Sequence, residues 1–253
     1  MSCTSYRVCN IVREQKNQSI TFTLNAMKQF TTALVSVLIA SSLSAQRLSQ
    51  INLTGNPGPS YFAILTDQDV LIRITAEGKI IDWGSELMSQ RANFYDRKLQ
   101  PFLGRVEYYG QESDSVFRGK VKSIGTCPVT YYGHYEIETK IGKLKSIGTL
   151  YLDYYSNFDN AALRGKLRFI GSLIVEYYSS LEDELLRGRL KTVGNVPVRY
   201  YSSFDDRYLK GKIKSIGSTV FDYYSSLDPI ELRGYLKSGF YRPNIGGVTY
   251  ILQ

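Results

Sequence analysis

The chain has 253 residues, a formal net charge of +8 at pH 7, three cysteines and one histidine. This length is enough for one sizeable hydrophobic core, and the moderate positive charge fits either contact with anionic polymers or an ordinary soluble protein. The few cysteines exclude a disulfide-rich framework. A catalytic triad that depends on histidine would have to use the single histidine of the chain.

The N-terminal segment has the pattern of a secretory signal. Lys28 lies in a short basic region, residues 30–40 are largely apolar, and a run of small residues ends at Ala45. We predict a signal peptide over residues 27–45 and a mis-assigned N-terminal extension over residues 1–26. The alternative is a buried apolar helix. A membrane span is not predicted, because the apolar run is short and is interrupted by Ser and Thr.

Removal of this segment would leave Cys127 as the one cysteine of the working protein. An exported protein lies where disulfides persist, yet this chain would have no pair of cysteines to join. No cysteine follows the signal at the place where a lipoprotein anchor would attach.

Residues 46–100 predict a divergent first β-hairpin. Residues 70–75 and 79–83 are β-rich runs, and the turn residues Ala76, Glu77 and Gly78 lie between them. Residues 85–100 are predicted to be irregular or briefly helical.

Residues 101–253 are organised by a repeat of 23 residues. A glycine recurs with this step, at Gly119, Gly142, Gly165, Gly188, Gly211 and Gly234. A pair of tyrosines recurs with the same step, at Tyr108-Tyr109, Tyr131-Tyr132, Tyr154-Tyr155, Tyr177-Tyr178, Tyr200-Tyr201 and Tyr223-Tyr224. Such strict self-similarity indicates one supersecondary unit that is stacked several times and buries its apolar face against its neighbours.

Each unit predicts a β-hairpin. Two β-rich runs surround a glycine-containing turn, and a polar loop rich in Ser, Asp and Glu leads to the next unit. A three-residue loop over residues 147–149 would place Leu144 opposite Leu152 and Lys143 opposite Asp153, and facing opposite charges are mildly favourable. A two-residue Gly-Thr turn is the alternative, but it would put lysines opposite leucines, so we predict the three-residue loop.

The hairpins are predicted to pair as an antiparallel meander. In a parallel β-solenoid, the repeated basic residues would stack roughly 4.8 Å apart and repel one another. A chain with about 14 to 16 strands exceeds the size at which open sheets tend to curl, split or close. We therefore predict an all-β fold whose 23-residue hairpins form a curled single-layer sheet or a closed barrel, with a closing C-terminal strand.

A short motif recurs between the glycines of the repeats. Residues 142–148 read Gly-Lys-Leu-Lys-Ser-Ile-Gly and residues 211–217 read Gly-Lys-Ile-Lys-Ser-Ile-Gly. With the tyrosine pairs, they resemble uncharacterised secreted bacterial proteins with tandem "GKLKSIG…YY" hairpins over residues 100–240. That resemblance implies export and a hairpin array, and it implies no activity. The period is also similar to that of MORN repeats, β-hairpins that contact lipids and proteins, although the MORN signature of Tyr-x-Gly with a central Asn-Gly turn is missing.

The second tyrosine of each pair is predicted to lie on the lysine-bearing face of the sheet. An aromatic stripe with a spacing of roughly 9–10 Å, twice the strand spacing, could stack on sugars or on single-stranded nucleic acid. The candidate ligand-binding residues are Tyr109, Tyr132, Tyr155, Tyr178, Tyr201, Tyr224, Lys143, Lys166 and Lys212. The alternative is that these tyrosines are strand residues satisfied by cation–π contacts with the lysines.

No catalytic residue, metal site or cofactor is predicted. His134 has Glu136 and Glu138 nearby in an inter-unit loop, where an exposed histidine fits better than a metal ligand. An acid recurs in these loops, at Glu136, Asp159, Glu182, Asp205 and Asp228. Calcium needs six to eight oxygens, and local Asx or Ser turns explain the pattern without a metal.

The sequence therefore predicts a non-enzymatic repeat scaffold that is exported to the periplasm or the cell exterior. Its partner would be an envelope or extracellular glycan, or an envelope protein, bound through the Tyr/Lys face; nucleic acid is not expected outside the cell. The alternative is a structural, self-assembling envelope component whose tyrosines are packed and whose sheet edges pair with other copies. No membrane span is predicted, because these strands are shorter than the about 9–11 residues that spanning strands need, and one face is charged.

Overall fold

The computed structural model describes residues 46–54, 58–86 and 98–252. The predicted N-terminal extension (residues 1–26) and signal peptide (residues 27–45) lie outside the described residues, so both stay predictions. The described part of the chain is all-β apart from one short 3₁₀ helix, Glu184–Leu186.

A seven-stranded sheet combines the first strands of the chain with the last two. Its strands are β1 (Arg47–Asn52), β2 (Tyr61–Leu65), β3 (Leu71–Ile74), β4 (Ile80–Ser85), β5 (Gln100–Pro101), β19 (Asn244–Ile245) and β20 (Val248–Ile251). Their order is β19-β20-β1-β2-β3-β4-β5. The C-terminal strand β20 runs parallel to β1, with Tyr250 opposite Ile51, so the predicted closing strand belongs to this sheet.

An eleven-stranded sheet contains the repeats. Its strands are β6 (Val106–Tyr108), β7 (Val121–Ile124), β8 (Cys127–Tyr131), β9 (Leu144–Ile147), β10 (Leu150–Tyr154), β11 (Leu167–Ile170), β12 (Leu173–Tyr177), β13 (Leu190–Val193), β14 (Val196–Tyr200), β15 (Ile213–Ile216) and β16 (Thr219–Val220). β17 (Asp222–Tyr223) continues β16 after one residue and pairs with β18 (Leu236–Ser238) in a two-stranded sheet.

The predicted antiparallel meander is confirmed. Each inner strand of the eleven-stranded sheet pairs with the strands that precede and follow it in sequence. The end strands β6 and β16 do not pair with each other within the described ranges, so the repeats form one open layer and the sheet is not closed into a barrel.

The hairpin turn has two residues, and the predicted three-residue loop is wrong. Ile147 pairs with Leu150 and Ser146 with Tyr151, which leaves Gly148 and Thr149 as the turn. Gly148 has a φ of +57°, and glycine at the first turn position is the signature of a type II′ hairpin turn. This turn matches the right-handed twist of the strands, which favours it over the longer loop.

The two-residue turn was disfavoured from the sequence because it would place lysines opposite leucines in a regular strand. A β-bulge between consecutive hairpins removes that difficulty. Thr130 pairs with Ser146 and Tyr131 with Leu144, so Lys145 is an extra residue on its strand. The bulge shifts the side-chain alternation by one residue, and Leu144 and Ile147 are therefore both buried although they are three residues apart. The same irregularity recurs at every junction between hairpins, as at Asp153/Tyr154 and Glu176/Tyr177.

The two large sheets share one hydrophobic core. Ile51 and Phe62 of the seven-stranded sheet belong to the same buried cluster as Leu144 and Ile170 of the repeats. The turn between β3 and β4 also reaches the repeats, because the carbonyl of Ala76 accepts a hydrogen bond from the Leu167 N–H at 2.7 Å. The apolar face of the repeat layer is thus covered by the N- and C-terminal strands of the chain.

Candidate functional site

Two tyrosine columns run along the repeats, and the predicted Tyr/Lys site contains the second of them. The first tyrosines are Tyr108, Tyr131, Tyr154, Tyr177, Tyr200 and Tyr223. The second tyrosines, all of them predicted to bind a ligand, are Tyr109, Tyr132, Tyr155, Tyr178, Tyr201 and Tyr224. Tyr132 and Tyr155 are buried, with 2% and 8% of their surface exposed, and the other second tyrosines are half-buried.

Five of the six second tyrosines donate hydrogen bonds to the backbone of the following repeat. The Tyr132 hydroxyl donates to the Leu152 carbonyl at 2.8 Å, and the Tyr155 hydroxyl donates to the Val175 carbonyl at 3.0 Å. The same bond recurs for Tyr109, Tyr178 and Tyr201, at 3.1, 3.3 and 3.3 Å. Each hydroxyl therefore ties one hairpin to the next.

The rings of the two columns also pack against each other across the junctions. Tyr132 meets Tyr154 with ring centroids 6.1 Å apart, and Tyr178 meets Tyr200 at 5.9 Å, both edge-to-face. Edge-to-face pairs of this kind contribute about 0.5–1.5 kcal/mol beyond the area that they bury. The aromatic stripe is thus a series of contacts between neighbouring repeats.

The predicted lysines lie over the first tyrosines. The ammonium groups of Lys143, Lys166 and Lys212 stand 5.0, 5.2 and 5.2 Å from the ring centroids of Tyr154, Tyr177 and Tyr223. Lys143 and Lys166 also donate to the carbonyls of the repeated glycines Gly165 and Gly188 in the next unit. The predicted pair of Lys143 with Asp153 does not form; the Lys140 ammonium contacts Asp153 at 2.5 Å instead.

A second set of cations, at the bulge positions, lies over the second tyrosines. Lys145 stands 5.5 Å from the Tyr132 ring, and Arg168 stands 5.4 Å from the Tyr155 ring. These cations were not among the predicted ligand-binding residues, although a regular strand would place Lys145 on the same face as Lys143, two residues earlier. The recurrence of Lys or Arg two residues after each repeated lysine was the available signal.

Burial shifts the pKa of the tyrosines in both columns and of the lysines that lie over them. Desolvation raises the pKa of Tyr155 and Tyr178 above the ordinary 10.0, and it raises the pKa of Tyr223 to about 12. Desolvation also lowers the pKa of the Lys143 and Lys166 ammonium groups. A tyrosine hydroxyl is a neutral donor at physiological pH even at its ordinary pKa, and burial extends that neutral range to higher pH.

The acids of the inter-unit loops are engaged in turns and in contacts between loops. Asp159 accepts hydrogen bonds from the Ser156 N–H and hydroxyl at 2.6 and 2.8 Å, and these bonds lower its pKa. Asp183 accepts from the Ser203 N–H of the next loop at 2.7 Å. Within the described ranges, no three His, Cys, Asp or Glu residues are grouped as they would be around a metal ion.

His134 has a single acidic partner, and it is not one of the glutamates that the sequence placed beside it. Its Nδ1 lies 2.6 Å from the Asp114 carboxylate, in the loop of the preceding repeat. The hydrogen bond from the Val116 N–H, this contact and the hydrogen bond from Ser115 hold the pKa of Asp114 below its ordinary value. Cys127 is buried, and burial raises the pKa of its thiol to about 11, which makes it unreactive at neutral pH.

Sequence reasoning missed an exposed apolar residue at the tip of each inter-unit loop. This loop-tip ladder consists of Tyr135, Phe158, Leu181, Phe204 and Leu227, which are 93%, 90%, 91%, 96% and 95% exposed. The available signal was an apolar residue with the 23-residue period inside an otherwise polar loop.

No protein family, curated protein or solved structure matches this chain. Among the residues whose structure is described, no helix is both long enough and apolar enough to cross a membrane. The contacts of the repeats themselves are therefore the basis of a functional proposal.

Proposed function

We propose that this protein is a non-enzymatic structural and assembly scaffold of the exterior of the cell, with its tyrosine columns packed inside the structure. The observation that carries the proposal is that five of the six second tyrosines donate hydrogen bonds to the following repeat. Export rests on the sequence pattern of residues 27–45 and is part of the same proposal.

Three contacts act on each of four consecutive second tyrosines. The hydroxyl donates to a carbonyl of the next repeat, a first tyrosine packs edge-on against the ring, and a cation lies over the ring. The four are Tyr132, Tyr155, Tyr178 and Tyr201. A sugar that stacked on these rings would have to displace the cations and forfeit their attraction to the ring, about 0.5–2 kcal/mol each.

This use of the tyrosines favours the structural hypothesis over ligand binding through the Tyr/Lys face. Repeat arrays owe their stability to nearest-neighbour interfaces, and here those interfaces are made of tyrosines, lysines and glycine carbonyls. A scaffold held together in this way needs no catalytic group. The histidine, the residue most useful for acid–base chemistry, is held by Asp114 in a loop.

Substitution of three second tyrosines tests the proposal. The variant Tyr155→Ser/Tyr178→Ser/Tyr201→Ser is expected to lose about 3 kcal/mol or more at each site, from lost packing and lost hydrogen bonds. The sum reaches the total stability of a typical domain, so the variant should be unfolded at room temperature by circular dichroism.

The matched control makes the same change at three tyrosines of the exposed surface. Tyr135, Tyr235 and Tyr241 are 93%, 64% and 50% exposed, and their triple replacement by serine should leave the fold intact. A parallel pull-down on insoluble polysaccharides at high salt completes the test. A second-tyrosine variant that stays folded as stably as the wild type and loses retention on a glycan would show that the columns bind a ligand, contrary to the proposal.

A further inference from the structure

We propose that the loop-tip ladder is a self-association surface, on which the ladder of a second copy of this chain packs in the antiparallel sense. The inference deepens the assembly role proposed above and rests on it. The five side chains of the ladder are at least 90% exposed, and large apolar side chains that recur on one surface mark an interaction site.

The loop does not require an apolar residue at its tip. The first inter-unit loop has Glu112 at the position that corresponds to Tyr135, one repeat of 23 residues earlier. A charged side chain therefore fits the same turn. The apolar choice in the five following loops exposes surface that folding of a single chain does not bury.

The ladder is held rigidly by bonds within and between the loops. Asp205 accepts from the Ser202 N–H at 2.6 Å, and Asp206 accepts from the N–H of Ser226, in the next loop, at 3.0 Å. Asp183 makes the corresponding bond to Ser203. Because the loops are fixed to one another, little conformational entropy is lost when the ladder binds a partner.

The spacing of the ladder fits a second copy. Consecutive members are separated by two strands of one sheet, so they lie roughly 9–10 Å apart and the ladder is about 40 Å long. A partner must present apolar groups at this same spacing to contact all five members. A second copy does so automatically, whereas an unrelated partner would match the spacing at one or two members.

The area of the ladder is that of a stable dimer. Exposed side chains of this size bury roughly 150–200 Å² each, so five members bury about 750–1,000 Å² per copy. The total over both copies is about 1,500–2,000 Å², which is the standard size of a specific protein interface.

The charges of the loops disfavour an anionic membrane as the occupant. The six inter-unit loops contain twelve acidic and seven basic residues, a net charge of −5, although the whole chain has a charge of +8. These loops comprise residues 110–119, 133–142, 156–165, 179–188, 202–211 and 225–234. Two acidic rims repel each other weakly at physiological salt, so apolar association between copies should strengthen as salt is added.

An antiparallel arrangement defines which residues meet. A two-fold axis through the central member places Leu181 against Leu181 of the second copy, Phe158 against Phe204, and Tyr135 against Leu227. Such a contact is self-complementary and closes after two copies.

Sedimentation of the purified full chain tests the proposal. We expect a monomer–dimer equilibrium that shifts toward the dimer between low and high salt. At protein concentrations where the wild type is a monomer, the variant Phe158→Ser/Leu181→Ser/Phe204→Ser should keep the wild-type melting temperature. It should dimerise roughly 100-fold more weakly or not at all, because central interface residues carry most of the binding energy. The control variant Ile230→Ser/Tyr235→Ser/Phe240→Ser removes exposed apolar residues outside the ladder and should dimerise as the wild type does.

Cysteine cross-linking tests the antiparallel geometry. The variant Leu181→Cys should form a disulfide-linked dimer on oxidation, because the two copies of this position meet on the axis. The variant Tyr135→Cys should not, because its symmetry mate lies about 40 Å away at the other end of the ladder.

Three results would overturn the self-association proposal. They are a wild-type monomer up to about 100 µM, a ladder variant that dimerises like the wild type, and cross-linking at Tyr135→Cys in place of Leu181→Cys. A monomeric wild type together with an unfolded second-tyrosine variant would refute the ladder interface alone and leave the structural role of the tyrosines standing.

Discussion

Replacement of Tyr177 by phenylalanine should stabilise the protein, whereas the same change at Tyr154 should destabilise it. The two side chains occupy the same position in consecutive repeats and are 3% and 1% exposed. The Tyr154 hydroxyl donates to the Leu144 carbonyl at 2.8 Å. The Tyr177 hydroxyl is buried without a hydrogen-bond partner among the described residues.

The expected sizes follow from this difference. A buried hydroxyl that makes no hydrogen bond costs about 1–3 kcal/mol, so Tyr177→Phe should raise the free energy of unfolding by about 1 kcal/mol or more. Tyr154→Phe removes a bond worth about 0.5–1.5 kcal/mol and deprives the Leu144 carbonyl of that donor, so a loss of about 1–2 kcal/mol is expected. Both changes delete one oxygen and keep the ring, so the packing terms cancel in the comparison.

Urea unfolding of the two variants measures the difference directly. Thermal melting gives the same comparison: in a protein of this size, a change of 1 kcal/mol shifts the melting temperature by about 2–4 °C, and the melting temperatures of the two variants should shift in opposite directions. Tyr235→Phe is the control, because that side chain is 64% exposed and its replacement should be neutral. Equal destabilisation by Tyr154→Phe and Tyr177→Phe would refute the reasoning, because it would mean that the Tyr177 hydroxyl is hydrogen-bonded in solution.

Three further predictions address the cations, the ionisation of the tyrosines and the repeated glycine. Lys166→Met removes the donor to the Gly188 carbonyl at 3.0 Å and should cost about 1 kcal/mol in urea unfolding; the exposed Lys122→Met is the control, and equal effects would contradict a specific role. The free energy of unfolding should fall above about pH 10. Burial raises the pKa of eleven tyrosines in the folded state, so the unfolded chain releases these protons at a lower pH and is favoured as the pH rises. Three lysines with a lowered pKa act in the opposite sense, but they are fewer than the tyrosines. A urea midpoint that rises between pH 9 and pH 11 would contradict this prediction. Gly119→Ala should cost about 1–2 kcal/mol from its φ of +73° alone. Gly165→Ala should cost at least as much, because a Cβ there would lie 2.6 Å from the Lys143 ammonium and displace it from the Gly165 carbonyl; a smaller loss at Gly165 in thermal melting would contradict the geometry.

The strands of the repeat region could be predicted because each feature of a hairpin is encoded locally. The β-rich runs, the glycine at the turn and the polar loop recur in every unit, so a single assignment applied to residues 101–240 at once. The antiparallel order followed from the repulsion expected between stacked lysines, and the structure confirms it.

The register of the hairpins could not be derived in the same way. A regular strand alternates strictly, so the lysines excluded the two-residue turn that the protein in fact uses. The bulge at Lys145 reverses that argument by shifting the alternation by one residue. A bulge depends on the pairing with the neighbouring hairpin, and a pattern read along one strand does not contain that pairing.

The placement of the tyrosines also depended on contacts between repeats. The sequence left two alternatives for the second tyrosines, a binding stripe or side chains satisfied by cations, and both agree with strand propensity. In the structure, Tyr155 donates to Val175 and packs against Tyr177, both twenty or more residues away. These two contacts favour the structural alternative, and ligand binding by the second tyrosines stays a prediction.

The period, the hairpin unit and the all-β class could be read from the amino-acid sequence, because each depends on the residues within a single 23-residue repeat. The tertiary structure decided the register, the open single layer of the repeats and its cover by the strands at both ends of the chain. It also decided which apolar side chains are buried: Tyr154 is 1% exposed, whereas Phe158, four residues later, is 90% exposed. Burial is set by what lies across the sheet from a residue, and that neighbour comes from another repeat or from the opposite sheet.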